Sequence, residues 1–151
     1  MRRFVRILST VALGLLSLGL TLLTLMVARD CWLLLGKLYL PSYALFNLAD
    51  KALVLVGGIV ALAVLVYAME MYIASQTFAA LVHHFLRVSV PMAWILGACH
   101  LIMAVIALAL TPGTPSFSAF LLPLAELAIG TGLHFLNNHW LKGAVLSEAR
   151  F

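Results

Sequence analysis

The stretch VSVPMAWILGACHLIMAVIALAL, Val88 to Leu110, is followed by TPGTPS (111–116) and then by FSAFLLPLAELAIGTGLHFL, Phe117 to Leu136. It reads as two apolar helices joined by a Pro/Gly hairpin. Each helix carries one ionisable residue deep in its run. His100 lies ten residues before Leu110, and Glu126 nine beyond Phe117. At ~1.5 Å per residue both fall roughly 13–15 Å from the hairpin, near the midplane of a ~30 Å hydrocarbon layer. A titratable residue at that depth is costly and usually has a partner or a task. His100 and Glu126 are therefore expected to face each other at one level.

Composition supports a membrane setting. The 151 residues are 65% hydrophobic and 9% charged, with a mean hydropathy of +1.16. A soluble domain is nearer half apolar and a quarter charged. The net charge is +4, without a basic stripe interleaved with stacking aromatics, so nucleic acid is not an expected partner. The expected partners are the lipid bilayer, further copies of the chain, or a larger membrane complex.

Upstream, Arg2, Arg3 and Arg6 precede Ile7 to Ala28, 22 residues without a charge. A signal peptide has a shorter apolar core and a better cleavage site than Met26-Val27-Ala28, so this run is read as a retained span. Gly14, Ser17, Thr21 and Thr24 form a small, hydroxylated stripe suited to close helix packing. Residues 31–50 mix Trp32, Tyr39 and Tyr43 with Lys37 and Asp50, and read as an interfacial segment broken by Gly36 and Pro41. Ala52 to Ile73 is the second span, with Gly57, Ala61 and Ala68 as a small-residue face. Ser75 to Arg87 reads as a helical extension or a surface-lying turn. Pro91 is expected in the first turn of the third helix, where proline is tolerated.

The predicted fold is all-α: one domain, residues 1–151, with four transmembrane helices over about 7–28, 52–73, 88–110 and 118–136 in an antiparallel bundle. Arg2, Arg3, Arg6, Arg87, Lys142 and Arg150 gather on the side of the termini, against Arg29, Lys37 and Lys51 opposite. The excess of positive charge predicts cytoplasmic termini. Cys31 and Cys99 fall at different depths on this topology, so no disulfide between them is expected.

Two polar groups follow. The intramembrane group is His100, Glu126 and His134. Glu126, Gly130, His134 and Asn138 recur every four residues, with Gly130 leaving room for water. The cytoplasmic-side group is Glu70, His83, His84, Asn138 and His139. A His100–Glu126 pair suits either a structural lock or proton handling. A b-type haem or a quinone is the cofactor alternative: two histidines on different helices can ligate a haem, but His100 and His134 differ in depth by ~10–12 Å, and His134 with His83 or His84 near the cytoplasmic interface is better placed. No H-E-x-x-H, G-x-S-x-G or di-iron Glu-x-x-His pattern is present, so neither an enzyme nor a metal site is expected.

Tyr67-Ala-Met-Glu70 closes the second span, His84-Phe85-Leu86-Arg87 opens the third, and His100 follows thirty positions after Glu70. In these features and in its layout the chain resembles the phosphate-starvation-inducible E (PsiE) family of small bacterial inner-membrane proteins. Around Asp50, Gly57-Gly58 and Cys99-His100-Leu101 it is also similar to the YqhA type of four-helix membrane protein. The resemblance implies a plasma-membrane protein linked to phosphate limitation, with unassigned biochemistry.

Overall fold

The computed structural model describes residues 3–39, 42–110 and 118–141. The hairpin at 111–117, Pro41, Arg2, Lys142 and Arg150 lie outside these, as does the side chain of Trp140. Four helices follow one another: α1 (Arg3–Tyr39), α2 (Tyr43–Ala74), α3 (Phe78–Leu110) and α4 (Ser118–Leu136), the last running into a π-helical turn, Asn137–Leu141. All four are long and apolar enough to cross a membrane.

Their limits follow from local chemistry. Ser42 and Ser75 take extended backbone angles at the two ends of α2. The Ser75 N–H and hydroxyl both donate to the Met71 carbonyl, at 3.1 and 2.8 Å, closing the helix. Arg6 Nη2 donates to the Ile73 carbonyl at 2.7 Å, placing a cation where unpaired carbonyls concentrate negative charge. Thr77 then opens α3, its hydroxyl accepting from the Ala80 N–H at 3.3 Å.

Three features differ from the sequence reading. Residues 31–39 and 43–50 are not a separate segment but the continuation of α1 and the start of α2. Gly36 does not break α1: a Cβ there would collide with the Phe46 ring, so the glycine lets α2 approach. The 75–87 stretch resolves as the helical extension, because α3 begins at Phe78. Pro91 is therefore deep inside α3 rather than in its first turn.

The third difference is the packing order. α1, α2 and α3 touch one another, whereas α4 packs on α3 alone. Among the described residues the helices do not close around one common core. The core sits instead in the three-helix group: Ala68, Tyr72, Leu81, Val88 and Met92, flanked by Leu13, Leu20 and Val64. Tyr72 is fully buried and shares a 2.7 Å hydrogen bond with Ser17. Thr21 returns its hydroxyl to the Ser17 carbonyl at 2.7 Å and touches Met92 Sδ at 3.5 Å. The Ser17–Thr21–Thr24 stripe is thus the seam of α1, with each hydroxyl satisfied before burial.

Candidate functional site

The α3–α4 seam is held close by two glycines. A Cβ at Gly97 would meet Leu127 Cγ at 2.7 Å and its backbone nitrogen at 3.2 Å. A Cβ at Gly130 would meet Trp94 Cδ1 at 2.7 Å. These contacts bring His100 and Glu126 together, Nδ1 to Oε2 at 2.7 Å, with side chains 24% and 21% exposed. The expected facing pair is therefore present in the geometry. It can be charged, as imidazolium and carboxylate, or neutral with one shared proton; either state satisfies both groups.

The height of this pair relative to the first hairpin is set by the packing of α1 on α3. Thr21 meets Met92, and ten residues further along α1 Cys31 lies beside Cys99, the residue before His100. Both thiols are free. The two cysteines thus share one level, in place of the separate depths read from the sequence. Two residues below Cys31, Arg29 donates to Asp50 through Nε and Nη2, each at 2.9 Å. The α1–α2 ion pair and the α3–α4 pair consequently lie within about one helical turn of each other in height. Counting depth along each helix put Arg29 and Asp50 at a membrane edge and His100 with Glu126 at the midplane; the packing register sets these residues nearly level. The separate counts failed because they assumed that all the apolar runs begin level.

The lower polar residues divide. His83, His134 and Asn138 line one cavity of ≈ 440 Å³, together with Arg87, Trp94 and Asn137. His134 Nε2 is 2.9 Å from Asn138 Nδ2, and its ring lies 5.3 Å from that of Trp94. Glu70, His84 and His139 do not line this cavity. His84 stands edge-on to His83 at 5.4 Å, His139 stacks on Phe135 at 4.2 Å, and Glu70 is exposed on α2. The cytoplasmic-side group of the sequence reading is thus only partly one cluster. No three of the described His, Cys, Asp and Glu residues are grouped to hold a metal ion.

His100 and His134 are not brought together. His134 sits beside Trp94, six residues (~9 Å) along α3 from His100. Gly130 does not leave room for water between Glu126 and His134; Trp94 and Ala93 occupy that space. Sequence reasoning passed over Arg87, Trp94 and Asn137 as cavity residues. Arg87 and Trp94 stand seven residues apart, on one side of α3, and that spacing was the available signal. No family model, curated protein or solved structure matches the chain.

Proposed function

We propose that the chain is a non-enzymatic, multi-pass protein of the bacterial inner membrane with cytoplasmic termini. It works by lateral association, with further copies of itself or as an accessory subunit. The observation that carries this reading is the division of the glycines. Gly14, Gly57, Gly97 and Gly130 are each filled by a neighbouring side chain, whereas Gly19, Gly58 and Gly132 have nothing within 4 Å of where a Cβ would stand. A bare glycine on an apolar helix forgoes lipid contact and suits the approach of another helix. α4, which packs on α3 alone among the described residues, leaves such a face open. The resemblance to the PsiE family supports the same setting and suggests a link to phosphate limitation.

The test is the mass of the protein in mild detergent. A multiple of the chain mass is expected, falling to one chain with Gly132→Leu, Gly58→Leu or Gly19→Leu. A native protein that is already a single chain, and brings down no membrane partner, sinks the reading.

A second reading is proton-linked transport using Glu126, His100 and His134. It is favoured by the 2.7 Å carboxylate–imidazole contact between two partly exposed groups. Glu126→Gln should abolish a pH-dependent flux in vesicles while leaving the protein folded. Absence of flux in the native protein ends it. A haem or quinone anchor is a third reading: His100 and His134 are separated along the α3–α4 seam, whereas His83 and His134 line one cavity.

A further inference from the structure

α3 forms the floor of a cleft, with α1 and α2 on one side and α4 and its π-helical turn on the other; α2 and α4 do not touch. Two chambers meet along this floor, and Arg87 and Pro91 line both. One chamber, ≈ 470 Å³, is walled by apolar side chains including Val60, Val64, Met92 and Ile95, with Tyr67 among them. The other, ≈ 440 Å³, is the polar cavity of His83, Trp94, His134, Asn137 and Asn138. An apolar compartment joined to a polar one at a single arginine suits an amphiphile rather than a free ion or a hydrocarbon.

We propose that this cleft binds one anionic phospholipid with a hydroxyl-bearing headgroup, its phosphodiester on Arg87 and an acyl chain in the apolar chamber. The site requires only that the chain resides in a membrane, whatever its oligomeric state.

Three observations specify the ligand. Arg87 is exposed into the cleft and, among the described residues, forms no ion pair or hydrogen bond. Beside hydrocarbon a guanidinium demands a counter-anion, and a phosphodiester fits its planar fork. The second observation is a pair of unpartnered polar atoms at the polar chamber. Asn137 is 7% exposed and its Oδ1 has no hydrogen-bond partner; the same holds for the buried His83 Nδ1. An amide oxygen only accepts, so it calls for a hydroxyl on the ligand, whereas His83 can donate to phosphate. The third is Pro91. Lacking an N–H, it leaves the Arg87 carbonyl without its usual donor four residues on, a further acceptor beside the cleft. A cation, one available ring donor and two acceptors match a glycerol-phosphate headgroup better than a bare phosphate monoester or a zwitterion.

The experiment compares protein in nanodiscs of phosphatidylcholine alone with nanodiscs doped with phosphatidylglycerol, followed by detergent release and native mass spectrometry. One phosphatidylglycerol retained per chain is expected, displaced by neither inorganic phosphate nor glycerol 3-phosphate. Arg87→Gln should lower retention at least about tenfold. Val60→Trp, a change at an exposed wall position, should fill the apolar chamber and lower retention with Arg87 intact, which guards against misfolding of the arginine variant. Lys37→Gln, at the far end of α1, should retain lipid like the native protein. Equal retention of phosphatidylcholine, retention unchanged by both cleft variants, or displacement by glycerol 3-phosphate overturns the proposal.

Discussion

Arg29 meets Asp50 across α1 and α2, and His100 meets Glu126 across α3 and α4. In each hairpin a base on the first helix reaches an acid on the second, and the seating of Thr21 on Met92, with Cys31 near Cys99, sets the two pairs at nearly one height. Their settings differ. Above Arg29 and Asp50 come Lys37, Asn47 and two tyrosines; above His100 and Glu126 every described position of α3 up to Leu110 is apolar. Arg29 is 47% and Asp50 14% exposed and their pair is bidentate, whereas His100 and Glu126 share one bond and are 24% and 21% exposed. An ion pair with access to water adds little, because solvent already stabilises both charges. A partly buried pair with only apolar α3 residues above it matters more, since removing one partner leaves the other unsatisfied.

If the two hairpins are not in this register, the two pairs cannot lie level. Copper-catalysed oxidation should therefore convert most of the protein to an internally linked form through Cys31 and Cys99. That form should run faster on a non-reducing gel and vanish with Cys99→Ala. If no linked species forms, the shared level is wrong.

Next in size is the attachment of α4. Gly97→Leu forces a side chain into Leu127 and should lower stability in detergent by about 3 kcal/mol, the upper end for overpacking. The same change at Gly58, where space is open, should leave the stability of the single chain nearly unaltered.

Glu126→Leu and His100→Leu should each cost about 1–3 kcal/mol, and the double variant less than the sum. Strict additivity in thermal melts would mean that the two side chains do not interact. The smallest effect belongs to the other hairpin. Arg29→Met should shift the melting temperature less than either α3–α4 change, and raising the salt concentration should erase the difference.

Much of the site was legible in residue types and spacing. Ser17, Thr21 and Thr24 at helical intervals marked a seam, and the seam is there. A histidine and a glutamate equally far from one Pro/Gly hairpin pointed to a pair, because an antiparallel hairpin brings equidistant residues level. What periodicity could not show was the relation between hairpins. No local signal ties Cys31 to Cys99, or Arg87 on α3 to Asn137 beyond α4; those neighbours exist because side chains far apart in sequence interdigitate. Gly130 shows the same limit. Its place in a polar stripe read as open space, but Trp94 fills it from the other helix.

The sequence by itself determined the class of the protein. Four long apolar runs with few charges leave the backbone no way to satisfy its hydrogen bonds in hydrocarbon except as helices, and that holds whatever the packing. It also determined the His100–Glu126 pairing, which depends on a single short connection. Only the tertiary structure decided how high the pairs stand relative to each other, that α4 rests on α3 alone, and that Arg87 stands where an apolar and a polar chamber meet. The physical reason is that one helix's depth follows from its own residues, whereas the offset between helices follows from the fit of side chains such as Thr21 on Met92 and Gly97 on Leu127.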